Sequence, residues 1–297
     1  MREKVCLITG ANSGIGKASA IQIAEKGYRV IIACRNPGKG EAALQEIKEK
    51  SGSEAVELMI VDMSLQSSIK ALADCFKSRY EVLDVLIQNA AIFDITHKEI
   101  AFTPEGIESI WATNHLGPVL LTELLLDSLA QSVQGRVISI ASKGLLAMPF
   151  LKVNLEDPEL RRGKFSVTKA YYQSKTAQIM YTYWLAERLK GTSVTANCIR
   201  VPSVRVAIDK YANLPGFLRF LYALKMKATL SPEEMAKTYT RLATADEFSH
   251  ITGTYLDEKL HPVSSPKYSA DPENIAQVMA RTMGFLDIAL TEPAASH

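Results

Sequence analysis

Six short apolar runs, separated by segments of crossover length, constrain this chain more than any other feature. VCLIT (5–9), YRVIIAC (28–34), AVELMIV (55–61), LDVLIQ (83–88), RVISIA (136–141) and SVTANCI (193–199) are near-continuous rather than alternating. Strands covered on both faces read this way, because neither face meets water. Between them lie amphipathic stretches near 15–27, 38–50, 65–80, 104–131 and 168–190. Each is long enough to return the chain across a sheet, so the β-α-β-α order predicts an α/β fold: a doubly wound parallel sheet with helices on both faces. At 297 residues and 47% hydrophobic content the chain can bury one substantial core. No repeat, low-complexity tract or Pro/Gly-rich linker divides the first 200 residues, and a single domain over 1–297 is expected. After about residue 200 the rhythm changes to loops and helices, which predicts a core over 1–200 and a lid with a helical extension over 201–297.

Composition excludes several functions. A net charge of +2, with basic residues scattered among acids, argues against nucleic acid as a partner. Cys6, Cys34, Cys75 and Cys198 lie far apart without CxxC or Cys/His spacing, which fits unpaired thiols in a reducing compartment. The five histidines form no HExxH-like cluster, so no metal is expected. The chain opens on MREKVCLITGA, which leaves no room for a secretory leader, and no run approaches the roughly 18 apolar residues of a membrane span. A soluble, cytoplasmic protein is the expectation.

TGANSGIG, residues 9–16, sits between the first strand and the first helix. Gly10, Gly14 and Gly16 let the backbone turn tightly and approach a pyrophosphate without a Cβ clash, while the amides opening the next helix offer donors. In the first βα turn of an alternating pattern this loop points to a dinucleotide, held along Gly10, Asn12, Ser13, Gly14, Ile15 and Gly16. A plain glycine turn is the bland alternative. At the end of the second strand an acidic residue would accept from a free ribose 2′-hydroxyl; Cys34 and Arg35 stand there instead. A guanidinium can hold a 2′-phosphate, so NADP(H) is the expected cofactor, with Lys39 assisting. A solvated surface charge is the competing role for Arg35.

AYYQSK (170–175) places two tyrosines ahead of Lys175. Residues three and four apart on a helix are neighbours, so Tyr171 and Tyr172 can both approach Lys175, and spacing does not choose between them.

TGxxxGIG, the NA inside QNAA (88–91), NHLG (114–117), a serine after the fifth strand and YxxxK together resemble the short-chain dehydrogenase/reductase superfamily. ACRNPGKGE (33–41), NHLGPVLLTELLL (114–126), AYYQSK and SPEEMAKTYTRLATADEFSHITGTYL (231–256) are similar to its retinol-dehydrogenase-like branch. The resemblance extends over most of the chain and implies a Rossmann-type fold. It selects Tyr171 as the residue that moves a proton, with an adjacent ammonium and an oxidised nicotinamide favouring its phenolate. It implies that Lys175 holds the nicotinamide ribose, Ser142 hydrogen-bonds the substrate oxygen, and Asn114 holds a water linking Lys175 to solvent. Asp62, with Met63, would meet the adenine; Asn89, Ala90 and Ala91 would line the cofactor, and Pro202 would flank the nicotinamide. For Asn89, loop capping is a serious competitor. The chain departs from the family pattern at Gln88 and Ala91, at Ala141 beside Ser142, at Ser203 after Pro202, and in VRVA (204–207), where a threonine is usual.

Between Ser142 and Tyr171, the apolar stretch Leu145 to Leu151 could wall a pocket. GFLRFLYALKMK (216–227) has helical apolar spacing. A lid over an apolar substrate, a core or subunit-contact helix and an interfacial membrane contact compete for it. The expected function is an NADP(H)-dependent oxidoreductase interconverting a carbonyl and an alcohol on a lipophilic small molecule such as a retinoid, a steroid or a polyketide-like compound. A dinucleotide-binding sensor or scaffold, and a reductase of a carbon–carbon double bond in a pigment or natural-product pathway, are the alternatives. Relatives that pair through the YxxxK helix suggest a homodimer or tetramer.

Overall fold

The computed structural model describes residues 2–96, 98–204 and 229–286. The segment 216–227 lies outside the described residues. Strands β1 (Val5–Thr9), β2 (Arg29–Cys34), β3 (Val56–Ile60), β4 (Val85–Gln88), β5 (Gly135–Ser142), β6 (Val194–Val201) and β7 (Thr254–Leu256) alternate with helices. These are α1 (Gly14–Ala24), α2 (Pro37–Ser51), α3 (Gln66–Arg79), α4 (Gly117–Ala130), α5 (Val167–Arg188), α6 (Pro232–Thr244) and α7 (Pro272–Leu286). The strands form one seven-stranded sheet in the order β3-β2-β1-β4-β5-β6-β7, and every pairing is parallel.

The near-continuous apolar runs follow from this arrangement. Leu7, Ile31, Met59, Leu86, Val137 and Ala196 turn to one face, where α3, α4, α5 and α7 cover them. Cys6, Ile8, Val30, Ile32, Ile87, Ile138 and Ile199 turn to the other, against α1, α2 and α6. Both faces are dry, so neither needs polar residues. All four cysteines are free thiols, three of them buried.

Two sequence expectations change. Beyond residue 200 loops and helices were expected, yet β7 adds a parallel edge strand beside β6. Its three residues, TYL, are too short to form an apolar run. The helix expected over 104–131 is not continuous. A helical turn, Ser109–Trp111, passes into a π-helical turn, Ala112–Leu116, and only then into α4. Pro118 explains the break: it lacks the N–H that would bond the carbonyl of Asn114 four residues earlier. Gln178 Nε2 on α5 donates to that carbonyl instead, at 2.8 Å. Gly117 is required here because a Cβ would stand 2.2 Å from the carbonyl oxygen of Met63. His115, in the same turn, bonds Thr282 of α7 through Nε2 at 2.7 Å. Thr282 gives its own proton to the Val278 carbonyl, so His115 is the donor.

The strand order reverses between β1 and β4. In open parallel sheets the crevice beyond the carboxyl ends of such strands is where ligands bind. Residues 9–16 and 88–92 meet there.

Candidate active site

The loop from β1 to α1 is shaped by close approach. Gly10 and Gly14 have φ of 67° and 57°, in the left-handed region that side chains disfavour. A Cβ on Gly10 would lie 2.9 Å from Ala90 Cα, and one on Gly16 would lie 2.4 Å from Asn89 Nδ2. Asn89 itself donates to the carbonyls of Thr9 at 2.9 Å and Gly10 at 3.2 Å. Thr9 Oγ1 in turn accepts from the Ala90 amide at 3.0 Å. The side chain of Asn89 thus staples the glycine loop to the end of β4, the capping role that competed with cofactor contact.

A cavity of about 370 Å³ opens from this loop. Gly10, Asn12, Ser13 and Ile15 form one wall, Arg35 with Asp62 and Met63 a second, and Asn89, Ala90 and Ala91 a third. Gly14 and Lys39 line a neighbouring cavity that shares Asn12, Ser13 and Ile15. Asp62 is anchored, accepting from the Ser64 amide at 2.9 Å and the Ser64 hydroxyl at 2.7 Å. Arg35 is not: its side chain is 75% exposed and stands 3.7 Å from Asp62. So loose a surface pair is worth about 1 kcal/mol or less, and the guanidinium remains able to turn to an anion. Left-handed glycines, the opening amides of α1 and this basic side chain together fit a dinucleotide phosphate chain.

The second half of the site lies at the ends of β5 and β6 and on α5. Ser142 closes β5, and its Oγ accepts from the Gly144 amide at 3.2 Å, capping the short helical turn Lys143–Ala147. Ser142 pairs in register with Val201, the last residue of β6, which sets Pro202 beside the site. Ser203 follows as an exposed residue.

The two tyrosines of α5 part company. Tyr171 packs with Ile110, Leu160 and Ala170 and lies within hydrogen-bond reach of Ser142. Tyr172 turns into a different cluster with Ala141, Leu145 and Ile179. It fills the space where Gly144 has no side chain: a Cβ there would stand 2.1 Å from its hydroxyl.

Burial pushes Tyr171 up to about 12, while the hydrogen bond from Ser142 pulls it down and the Tyr172 hydroxyl pushes it further up. Lys175 makes its hydrogen bond elsewhere. Lys175 is buried, which lowers its amine to about 8. It donates to the Ile140 carbonyl at 2.8 Å and stands 5.8 Å from the centroid of the Tyr171 ring.

Asn114 is held by three hydrogen bonds. Its Oδ1 accepts from the Ile92 amide at 2.8 Å, and its Nδ2 donates to the Ile92 carbonyl at 3.0 Å and to Ser174 Oγ at 3.3 Å. The side chain clamps the segment after β4. Its consequence is a residue the sequence did not reveal. Phe93 follows Ile92 and stacks on Tyr171, with centroids 4.2 Å apart and planes 25° apart. Gln178 was missed too, although Pro118 was the signal for it. Among the described residues no group of three His, Cys, Asp or Glu side chains could hold a metal ion, and no helix is long and apolar enough to cross a membrane.

Known proteins resemble the chain along nearly its whole length. The model of the family described as short chain dehydrogenase matches residues 4–152. The chain is similar to retinol dehydrogenase 13 of Homo sapiens, 32% identical over 280 residues that cover 92% of this chain and 81% of that one. It is similar to retinol dehydrogenase 12 of Bos taurus, 36% identical over 265 residues, with 89% and 80% covered. A solved structure from Mycobacterium paratuberculosis is 28% identical, with a TM-score of 0.74 over 98% of this chain and 96% of that one.

Proposed function

The chain belongs to the short-chain dehydrogenase/reductase family, in its retinol-dehydrogenase-like branch, and from that premise we propose an NADP(H)-dependent enzyme acting on a lipophilic carbonyl or alcohol. Members of this family are oxidoreductases that bind a nicotinamide dinucleotide. The observation that carries the proposal is the meeting of the Tyr171 phenol with Ser142 above the buried amine of Lys175.

When bound, the nicotinamide supplies or accepts the hydride. The chain's own groups handle the proton and the charge on oxygen. Tyr171, held near 12, starts as a proton donor, which suits delivery to a carbonyl oxygen in the reducing direction. Ser142 already accepts from Gly144, so its own proton is free for the phenol oxygen or for the substrate oxygen where charge develops. Lys175 has three donors and the Ile140 carbonyl takes one, leaving two for ribose hydroxyls. Arg35 is the candidate for the 2′-phosphate, because β2 ends on Cys34 and Arg35 follows it with no carboxylate at either position. Asn114 keeps the segment after β4 in place. In this proposal residues 1–200 carry dinucleotide and chemistry, and 201–297 shape the substrate side.

A lipophilic substrate is supported by the two segments that border the site. Exposed Phe93 and Ile95 follow β4, and exposed Leu146 and Phe150 follow β5. The similar proteins named retinol dehydrogenase point the same way.

The test is hydride exchange from NADPH to a panel of lipophilic aldehydes and ketones. Tyr171→Phe is expected to lose turnover while binding NADPH within a few-fold of the parent, and Tyr172→Phe to keep turnover. Full activity in Tyr171→Phe would refute the assignment. NADPH binding without exchange to any carbonyl would leave a sensor. A deuteride label found on an alkene carbon would indicate double-bond reduction.

A further inference from the structure

Tyr171 has few polar restraints for a group with so narrow a proposed task. Ser142 reaches its phenol, but Lys175 directs Nζ to the Ile140 carbonyl. The plane of the ring is held by packing. Ile110, Leu160 and Ala170 pack on it, and Tyr172 meets it edge-on at 5.2 Å and 70°. Phe93 covers it at 4.2 Å and 25°. Apolar carbons touch at about 3.5–4.0 Å, so nothing fits between the two rings. Phe93 is 43% exposed, with one face of its ring against Tyr171. Its backbone is anchored, because Asn114 grips both the amide and the carbonyl of the preceding Ile92.

We propose that Phe93 is a positioning residue of the reaction, acting through Tyr171: its ring holds the plane of the phenol and keeps water from that face. The inference rests on Tyr171 being the proton-transfer group. It also gives the clamp of Asn114 a purpose, since a mobile Ile92 would release Phe93. Burial is the largest cause of the raised Tyr171 value, so uncovering a face lowers it. The titratable groups that face Tyr171 are Tyr172 and Lys175 from its own helix and Tyr239 from α6, beside the Ser142 hydroxyl from β5. Replacing Phe93 alters none of these residues.

The experiment compares Phe93→Ala, Phe93→Leu and Phe93→Trp with the parent in NADPH-dependent carbonyl reduction across pH. An aromatic pair contributes about 0.5–1.5 kcal/mol beyond its area, so kcat is expected to fall about three- to tenfold in the alanine and leucine variants. The alkaline limb of the kcat profile is expected to move to lower pH, the KM for NADPH to stay unchanged, and tryptophan to restore both kcat and the profile. A rise confined to the carbonyl KM, with kcat and profile unchanged, would make Phe93 a substrate wall and overturn the proposal. So would no change at all. Ultraviolet titration of tyrosinate, with Tyr171→Phe as the blank, needs no turnover. If the parent protein reduces nothing on the panel, the proposed function fails. The titration still decides Phe93: an unaltered Tyr171 curve in Phe93→Leu overturns the inference, and a curve moved to lower pH upholds it.

Discussion

Asn114 grips Ile92 through both of its backbone polar groups, accepting from its amide at 2.8 Å and donating to its carbonyl at 3.0 Å. A side chain in a π-helical turn thereby mimics a strand partner for the segment leaving β4. Neither bond survives in Asn114→Leu, which has a similar size and no polar atoms. The bond to Ser174 is lost with them, and at a net worth of about 0.5–1.5 kcal/mol each the variant is expected to lose about 1.5–4.5 kcal/mol of stability. Its kcat is expected to fall with it, because Phe93 and Tyr171 lie beyond the clamp. Urea unfolding with parallel steady-state kinetics measures both. Full kcat at reduced stability would confine Asn114 to a structural role.

The glycine loop offers a sharper contrast. Gly16→Ala drives a methyl to within 2.4 Å of Asn89 Nδ2 and 2.9 Å of the Gly10 carbonyl. Asn89 must then release Thr9 and Gly10, and the loop loses its staple. NADPH affinity is expected to drop at least about tenfold, the effect of some 1.4 kcal/mol. Gly27→Ala is the control, because its Cβ would meet nothing within 4 Å and only the positive φ is strained. Fluorescence titration of NADPH against the two variants gives the comparison.

A pH dependence is built in beside the catalytic turn. Glu108 caps the helical turn Ser109–Trp111, accepting from the amides of Ile110 at 2.8 Å and Trp111 at 2.7 Å. Burial pushes its carboxyl from 4.5 up to about 7, its two backbone bonds pull down, and nearby Glu159 pushes further up. A folded value above the unfolded one means the native state binds the extra proton. The stability it contributes is therefore fully present below about 4.5 and is lost as pH rises through about 7. The swing is on the order of 3 kcal/mol. Melting temperature measured across that window is expected to fall with rising pH, and Glu108→Gln to flatten the curve. An unchanged slope in Glu108→Gln would place the dependence elsewhere.

What the amino-acid order revealed, and what it hid, follows from how each contact is made. Runs such as VCLIT and YRVIIAC were legible because strands buried on both faces need no polar alternation. The TYL of β7 was not, because three residues carry no periodicity. The glycines of 9–16 were legible, since side chains disfavour the φ of Gly10 and Gly14, and a Cβ on Gly10 or Gly16 would crowd Ala90 or Asn89. Tyr171 and Tyr172 could not be told apart by spacing: what separates them is the missing side chain of Gly144, distant in sequence. Phe93 was hidden for the same reason. Its task depends on a loop after β4 folding back upon α5, and no local pattern encodes that return.

The choice of cofactor supplies the last prediction. Arg35 extends from the end of β2 with its side chain 75% exposed and only a 3.7 Å ion pair to Asp62. A 2′-phosphate would offer it a doubly charged, bidentate partner, and a charge-assisted bond of this kind is worth about 1.5–3 kcal/mol. Arg35→Ala is therefore expected to raise the KM for NADPH about tenfold or more while leaving that for NADH nearly unchanged, since a free 2′-hydroxyl gives the guanidinium little to hold. Arg35→Asp should go further and favour NADH, because a carboxylate there accepts from the 2′-hydroxyl and repels the phosphate. The ratio of kcat/KM for the two cofactors is the measurement. Equal losses with both cofactors would mean that Arg35 only shapes the loop through Asp62, and that the NADP(H) assignment rests on the wrong residue.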